Sequence, residues 1–298
     1  ADDTVQLLLL CCHPSLSRPS QVALTLKAVG GLRTEEIARG FLVPPATMGQ
    51  RLSRARATLR EAGARFSMPA PAELPARIAA VLDVCHLIFT EGAMRTSGAA
   101  LVDRDLTAEA IRIVRLLTAA VPDHDEAAGL LALMLLTEAR AAARTDEHAD
   151  LVPLAEQDRS RWDAALIAEG VAIVERVLPT GPVGRFQLQA AIAAVHAESP
   201  TWDQTDWPQI VALYRMLEAV APSPAVTLNR AVAVSMVDGP DAGITLLATL
   251  LADPRPRLGH RVHAVHAHLL EQAGRTREAA AAYREAARLT ASAPEQRY

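Results

Sequence analysis

The chain has 298 residues, of which half are hydrophobic but only 3% are aromatic, and its formal net charge is −4. This length suffices for about two domains with buried cores, and no segment approaches the roughly 20 apolar residues that span a bilayer. The apolar stretch at residues 7–12 is short and lacks the basic flank of a signal peptide. Three cysteines without the spacing of a disulfide framework fit a reducing compartment. The sequence therefore predicts a cytoplasmic protein that does not span a membrane.

Charge is distributed unevenly along the chain. Residues 1–66 contain nine Lys/Arg and five Asp/Glu, a balance of +4, whereas residues 67–298 contain 21 and 29, a balance of −8. A basic amino-terminal part favours nucleic acid as its partner, because phosphates attract Lys and Arg. A balance of only +4 predicts that its isolated binding is weak.

Residues 17–62 predict three short helices with tight breaks. Ser17 can cap the first helix, in which Val22 and Leu26 share a face, and Gly30 ends it. The second helix begins at Thr34, which we expect to be its N-cap. Three helices connected in this way are typical of a helix-turn-helix unit.

The third helix has the residue pattern of a helix that enters the major groove of DNA. Pro44 and Pro45 suit its start, where a missing N–H costs nothing. Its apolar residues recur at spacings of four, three and four and predict one buried stripe: Met48, Leu52, Ala55 and Leu59. Its other faces carry Arg, Gln, Ser and Thr, which donate to base edges and phosphates. The alternative is an amphipathic helix whose arginines simply face water.

The segment at residues 31–60, GLRTEEIARGFLVPPATMGQRLSRARATLR, resembles region 4 of bacterial extracytoplasmic-function sigma factors. That family shows a Gly-Leu-Ser/Thr-x-x-Glu-Ile-Ala opening, followed by a Thr-Val/Met-x-x-Arg-Leu-x-Arg-Ala-Arg recognition helix. The resemblance implies binding to the −35 promoter element and to the flap of the RNA polymerase β subunit. Carried over by position, the residues that the resemblance places toward the groove are Thr47, Gln50, Arg51, Ser53 and Arg54. Those that it places nearer the phosphates are Arg56 and Arg60.

The chain departs from the family pattern in two respects. Leu42 occupies the turn position where the family usually has glycine. Because leucine tolerates a positive φ poorly, we expect this turn to be built differently. A complete sigma factor also carries an upstream region 2, which binds the polymerase clamp and melts the −10 element, whereas this sequence begins at Ala1 in an apolar helix. The resemblance therefore implies a fragment or a processed form, with region 2 in the sequence upstream.

Residues 67–76 contain three prolines and predict a linker. It separates a DNA-binding domain at residues 1–66 from a carboxyl-terminal extension at residues 77–298. Beyond the linker every periodic segment is helical, and no segment shows the alternation of a strand.

The extension has the spacing of imperfect helical repeats. In its final segment, small and large residues match the positions of a tetratricopeptide-type hairpin: Ala267, Leu270, Gly274, Ala279, Tyr283 and Ala286. Earlier copies are degenerate, and each ends a helix with a proline, at Pro122, Pro222 and Pro254. This pattern predicts stacked helix pairs that form a curved solenoid with a groove; the alternative is an irregular α-helical domain. With region 4, it resembles the sigma-factor subgroup that has a long helical extension, which implies regulation by a protein or peptide bound there.

One acidic and aromatic segment of the extension, AEQDRSRWDAALIAEG at residues 155–170, resembles a hallmark stretch of that subgroup. Asp158 or Ser160 can cap the helix that follows, which leaves the neighbouring arginines and tryptophan to pack at its start. Alternatively, Arg and Trp anchor a contact with another domain or partner, and two tryptophans in the loop TWDQTDW also indicate a contact surface. The candidate partner-binding residues are Arg159, Arg161, Trp162, Trp202 and Trp207.

Four histidines form the best candidate for a metal site, because the first three share one helix face: His260, His263, His266 and His268. No clustered cysteine and no ligand from another helix accompanies them, so we expect ordinary histidines, no metal and no cofactor. No nucleophile elbow, phosphate-binding glycine loop or catalytic dyad is evident. The sequence therefore indicates a protein that is not an enzyme.

We predict an all-α protein in which a three-helix, helix-turn-helix region 4 domain precedes a tetratricopeptide-like extension. Its predicted partners are promoter DNA and the RNA polymerase core. One alternative is a non-sigma transcriptional regulator whose solenoid senses a ligand or peptide, and binding to polymerase core separates the two. The other is a helical interaction scaffold that binds no DNA. Burial of Arg51 and Arg54 against the extension favours the scaffold or an autoinhibited sigma fragment.

Overall fold

The computed structural model of the protein describes residues 2–41, 43–93, 97–98, 103–148, 150–179, 181–253, 259–292 and 295–296. In these residues the regular structure consists of fourteen α-helices, three short 3₁₀ turns and one pair of two-residue strands. This composition confirms the predicted all-α class. None of the described helices is long and apolar enough to cross a membrane.

The helices follow one another as α1 (Asp2–Cys11), α2 (Arg18–Ala28), α3 (Thr34–Gly40), α4 (Pro45–Glu61), α5 (Leu74–Ala93), α6 (Arg104–Ala120), α7 (Asp125–Glu138), α8 (Ala164–Val177), α9 (Arg185–Glu198), α10 (Trp207–Val220), α11 (Pro224–Asp238), α12 (Pro240–Leu251), α13 (His260–Gln272) and α14 (Thr276–Leu289). The strands β1 (Ser97–Gly98) and β2 (Ala291–Ser292) pair in parallel.

The chain divides into two compact units. The first comprises residues 1–94 and 102–131, and the second comprises residues 95–101 and 132–298. Helices α5 and α6 therefore belong to the same compact unit as α1 to α4, on the other side of the predicted linker at residues 67–76. The prolines of that segment interrupt the helical structure between α4 and α5. The packing continues beyond them, because α5 has a broad apolar face and contacts α1, α2 and α6.

Helix α2 lies at the centre of the first unit. The sequence predicts one buried face, but all of residues 21–26 are buried, because α1, α4 and α5 pack against this helix. The polar Gln21 is satisfied by the loop after α1, where its Nε2 donates to the carbonyl oxygens of Cys12 at 3.2 Å and His13 at 3.0 Å. Burial of a polar side chain is tolerated here because its hydrogen bonds are made.

Two arginines tie α2 to α5 and α6. Arg18 begins α2, and its Nη2 lies 2.8 Å from Oδ2 of Asp83 on α5, while its Nη1 donates to the carbonyl oxygen of Ala80 at 3.1 Å. At the other end of α2, Arg112 of α6 donates to the carbonyl oxygen of Val29 at 2.8 Å. The last carbonyls of a helix lack partners and attract cations, so this contact stabilises the end of α2.

The starts of α2 and α3 differ from the prediction. Ser17 precedes α2, but its hydroxyl donates to Ser20 and caps no backbone N–H. Thr34 is the first residue of α3, and Arg33 takes the position before it. The N–H of Arg33 donates to the Glu36 carboxylate at 2.7 Å. An acid inside the first turn therefore satisfies the backbone where the sequence predicts a threonine cap.

The second unit is built from helices that pack on their neighbours in sequence, from α8 to α14. Ala231 of α11 is fully buried. At Gly243 of α12, a Cβ would lie 2.7 Å from the carbonyl oxygen of Ala231 and 2.8 Å from Cδ1 of Leu269, so glycine permits this close approach of α11 and α13. Helix α10 ends before Pro222 as predicted, while Pro254 lies outside the described residues. Stacked helices are thus present, and their tetratricopeptide character stays a prediction.

Candidate nucleic-acid interface

Helix α4 is fixed in its rotation by its apolar stripe. Met48, Leu52 and Ala55 are buried, and the helix packs on α2 and on α3, where Ile37 is fully buried. Leu59, the fourth predicted member of the stripe, is only half-buried near the end of the helix. Burial stabilises by about 1.5–3 kcal/mol for each large apolar side chain. Since rotation would lose this stabilisation, the opposite face of α4 is held toward solvent.

The solvent face of α4 carries the residues that the sequence predicts to bind DNA. The exposed members of this set are Thr47, Gln50, Ser53, Arg54, Arg56 and Arg60. Arg51 is half-buried, and its guanidinium Cζ lies 5.3 Å from the ring centroid of Phe41. A cation–π contact of this kind contributes about 0.5–1 kcal/mol at an exposed site. Phe41, which the sequence analysis did not single out for this role, therefore orients one arginine of the face.

Helix geometry divides these side chains among three positions. At 3.6 residues per turn, the flank that faces Phe41 carries Thr47, Arg51 and Arg54. The outer face carries Gln50 and Ser53, and the other flank carries Arg56 and Arg60. A helix in the major groove has base edges beneath its outer face and a phosphate backbone along each side. Polar and cationic side chains thus cover the whole solvent side of α4, with arginines on both flanks.

The four arginines of α4 make no ion pair or hydrogen bond with a carboxylate of the described residues. By contrast, Nη2 of Arg33 and Nη2 of Arg112 lie 2.7 Å and 2.6 Å from carboxylate oxygens of Glu36 and Glu109. Exposed guanidinium groups keep most of their hydration, so the absence of a partner costs little on this surface. These four cations are therefore available to phosphates, whose binding releases counterions and depends on salt.

The start of α4 is partly described. Pro44 precedes the helix and Pro45 is its first residue, as predicted. Leu42, at which we expect an unusual turn, lies outside the described residues. Further along, a Cβ added to Gly49 would meet no atom within 4 Å. The surface beside Gln50 is therefore open to a ligand.

The predicted partner-binding residues lie in the second unit and are mostly withdrawn from its surface. Trp162 and Trp207 are only 7% and 8% exposed, and Trp202 and Arg159 are half-buried, whereas Arg161 is exposed. Trp207 starts α10 and packs in an apolar cluster with α9 and α11, and its role in partner binding stays a prediction.

The helix cap predicted in the same segment lies further along the chain. Asp158 accepts a hydrogen bond from the N–H of Ser160 at 2.9 Å and begins a 3₁₀ turn at Arg159–Arg161. The following helix, α8, is instead capped by Asp163, whose Oδ1 accepts from the N–H of Ala165 at 2.9 Å. The short turn between the two caps is the feature that the sequence pattern did not predict.

The histidines of α13 are not arranged as a metal site in the part of the chain that the structure describes. No group of three or more His, Cys, Asp or Glu side chains among those residues is placed to hold a metal ion. His260 is instead paired, with its Nε2 3.0 Å from Oε2 of Glu295. Burial, together with the nearby Arg275 cation, lowers the pKa of His266.

Comparisons with known proteins bear on both units. The Sigma-70, region 4 family matches residues 6–59, and a Family of unknown function (DUF6596) matches residues 77–178. The chain is 41% identical over 303 residues to an uncharacterized protein of Rhizobium meliloti (strain 1021), in an alignment that covers 100% of this chain and 70% of that protein. No solved structure matches the chain. The first match confirms the predicted resemblance at the level of region 4 and extends it to α1.

Proposed function

The chain belongs to the same family as the Rhizobium meliloti protein, whose alignment covers the whole of this chain. We propose that the chain acts in transcription initiation as the promoter-recognition part of an extracytoplasmic-function sigma factor. The sigma-70 region 4 domain at residues 6–59 supports this function. In the proposal, α4 enters the major groove of the −35 element, and the domain contacts the flap of the RNA polymerase β subunit. The observation that carries it is the open, unpaired arginine face of α4.

The side chains of α4 take different roles in this proposal. Gln50, Arg51 and Arg54 read base edges, because glutamine makes bidentate contacts with adenine and arginine makes them with guanine. Arg56 and Arg60 hold phosphates on the opposite flank and contribute to affinity without contributing to sequence preference. Thr47 and Ser53 donate short hydrogen bonds between these positions.

The geometry within the first unit supports this role for α4. Arg54 is exposed, and Arg51 contacts Phe41 of the same unit. No described carboxylate of this unit pairs with either side chain, so both are available to a polyanion.

The remainder of the chain has a regulatory role in the proposal. Residues 67–298 have a charge balance of −8, with 21 basic and 29 acidic residues. Such a balance disfavours DNA binding by this part, because phosphates and carboxylates repel each other. Its stacked helices instead offer a surface to a regulatory protein or peptide, which controls how the promoter-binding unit engages polymerase.

The groove assignment is tested by binding of the whole chain to a selected −35 duplex at fixed low salt. We expect Arg51→Ala and Arg54→Ala each to weaken binding about 10- to 100-fold and to relax preference at one base pair, since a bidentate contact contributes about 1–3 kcal/mol. Arg284→Ala, an exposed arginine of α14 with the same loss of charge, is the matched control. If both α4 variants bind like Arg284→Ala, the groove assignment is wrong.

The phosphate assignment has a different signature. Arg56→Ala and Arg60→Ala should weaken binding to all sequences alike and reduce the slope of log K against log salt by about 1 each. Sequence discrimination should stay as in the unmodified chain. A change in base preference would mean that these residues contact bases and not phosphates.

The sigma-factor assignment is tested by binding of the whole chain to the isolated flap of the polymerase β subunit. We expect a saturable complex whose formation is unaffected by Arg54→Ala, because that side chain faces DNA. A chain that binds the duplex but not the flap is a non-sigma regulator, the alternative that the sequence also allows.

A further inference from the structure

Side chains from separate segments of the second unit meet in one group, which we call the arginine–tryptophan cluster. Its members are Arg140, Arg159, Trp162, His196, Trp202 and Trp207. They come from the segment after α7, the 3₁₀ turn before α8, the end of α9 and the connection into α10. None of them belongs to the interface on α4.

The cluster is assembled from ring contacts. Cζ of Arg159 lies 4.5 Å and Cζ of Arg140 lies 5.9 Å from the ring centroid of Trp162, so two cations share one indole. The His196 ring stacks on Trp202 with centroids 6.2 Å apart and planes 11° apart. Trp207 meets both rings edge-on, at 5.3 Å from His196 and 4.7 Å from Trp202.

Polar atoms within the cluster lack hydrogen-bond partners, although they are buried. These atoms are Nη2 of Arg159, Nε1 of Trp162, Nδ1 of His196 and Nε1 of Trp207. Arg159 is only half satisfied, since its Nη1 donates to the carbonyl oxygens of His196 and Ser199, both at 2.6 Å. Arginine and indole nitrogens can only donate, so the cluster has a surplus of donors and needs an acceptor.

The charge of the cluster is also uncompensated. Burial and the cations Arg144 and Arg159 lower the pKa of Arg140 to about 9, while the nearby Tyr214 acts in the opposite direction. Burial and the same cations, Arg140 and Arg159, lower the pKa of His196 to about 4, so this ring is neutral near pH 7. No carboxylate of the described residues pairs with Arg140 or Arg159. Like charges that are buried together without a counter-charge are unfavourable.

We propose that the arginine–tryptophan cluster binds a small organic anion through a carboxylate or phosphate group. The planar guanidinium groups of Arg140 and Arg159 match the geometry of such an oxyanion and pair with it, while the unpaired indole N–H groups supply further donors. The indole rings pack against the apolar part of the molecule. Arg140, Arg159, His196 and Trp202 are each partly exposed, so solvent reaches the edge of the cluster beside them. The second unit is then a ligand sensor, a role independent of DNA binding.

Intrinsic fluorescence tests this site directly, because the protein has three tryptophans and all of them lie in the cluster. The whole chain is titrated with sodium phosphate and, separately, with sodium citrate, against sodium chloride at matched ionic strength. We expect a saturable change with phosphate or citrate and none with chloride. The two arms distinguish a phosphate ligand from a carboxylate ligand, and a flat or non-saturating response to both overturns the proposal.

Variants link the response to the arginines. Arg140→Gln should weaken binding of whichever anion gives the response at least tenfold. Arg140→Lys should weaken this binding less, since lysine keeps the charge but lacks the planar fork. Arg161→Gln, an exposed arginine next to Trp162, is the matched control and should bind like the unmodified chain. Far-ultraviolet circular dichroism confirms that each variant is folded. Equal affinity in Arg140→Gln, Arg161→Gln and the unmodified chain overturns the assignment to Arg140.

Discussion

The arginines of α4 and those of the arginine–tryptophan cluster share one property, since neither set is paired with a described carboxylate. They differ in their surroundings. Arg54 projects into water, whereas Arg140 and Arg159 lie among aromatic rings and next to each other. An unpaired cation in water costs little, while one held away from water costs several kcal/mol. The exposed set is therefore suited to a polyanion bound by salt-dependent contacts, and the half-buried set is suited to one discrete anion.

The two sets are also held in place differently. The α4 arginines are directed by a helix whose opposite side is buried at Met48 and Leu52, so each can be changed without disturbing the core. The cluster arginines are part of the packing, because Arg159 also binds the last carbonyls of α9. Substitutions on α4 should therefore change binding without changing stability, whereas substitutions in the cluster should change both.

The largest effect is expected when the shared indole is removed. Trp162→Ala should lower the free energy of unfolding by about 3–5 kcal/mol, since it deletes a buried ring and both of its cation contacts. Urea denaturation followed by circular dichroism measures this loss. The exposed neighbour Arg161→Ala should change stability by less than about 0.5 kcal/mol. A loss below about 1 kcal/mol for Trp162→Ala would mean that the ring does not organise the cluster.

Acid should lower the stability that the cluster contributes but not the stability that α4 contributes. The pKa of His196 is lowered from 6.5 to about 4, so the unfolded chain takes up the proton first as the pH falls. The stabilising contribution is complete above pH 6.5 and decreases toward pH 4, by about 2 kcal/mol between pH 7 and pH 5. His196→Gln should flatten the dependence of unfolding free energy on pH in this window. A slope that persists in His196→Gln would assign the pH dependence to other groups.

Neutralising one arginine in each set should change the free energy of unfolding to different extents. In buffer without phosphate or citrate, Arg140→Met should raise the free energy of unfolding by about 1 kcal/mol, because it removes a half-buried cation that no described carboxylate pairs with. Arg54→Met, with the same change on the exposed face, should stay within about 0.5 kcal/mol. A responding anion should then stabilise the unmodified chain and not Arg140→Met. Destabilisation by Arg140→Met would show that its aliphatic stem and ring contact outweigh its charge.

The smallest effect concerns the open surface of α4. Gly49→Ala should raise the free energy of unfolding by about 0.5–1 kcal/mol, since alanine favours the helix and its Cβ meets no atom within 4 Å. Gly243→Ala makes the same chemical change where the Cβ would lie 2.7 Å from the carbonyl oxygen of Ala231, and it should be destabilising. Thermal unfolding of the two variants compares an open helix face with a closed one.

Local periodicity was enough to predict α4 and its buried side. The spacing of Met48, Leu52 and Ala55 determines which side of α4 is buried, and the position of Pro45 marks where the helix begins. Both are properties of consecutive residues, so a single sequence contains them. The all-α class followed from the same kind of pattern. The orientation of Arg51 did not, because its partner Phe41 lies across the turn from α3.

Contacts between distant segments were not predictable from these patterns. Arg112 binds the carbonyl oxygen of Val29 across 83 positions of the chain, and nothing in either local sequence indicates that pairing. Arg140 and His196 were not singled out, since an arginine at a helix end and a histidine on an apolar helix resemble ordinary surface and core residues. Their significance depends on which side chains share the space around them, and that is a property of the folded unit.

The packing of α5 and α6 on α2 constrains how this protein can be rearranged during evolution. Recombination within residues 67–76 separates α2 from the carboxylate that binds Arg18 and from the arginine that binds Val29. It also exposes the apolar faces of α2 and α5, which then favour association with other molecules. A segment transferred between proteins with α4 and its supporting helices intact therefore includes α5 and α6.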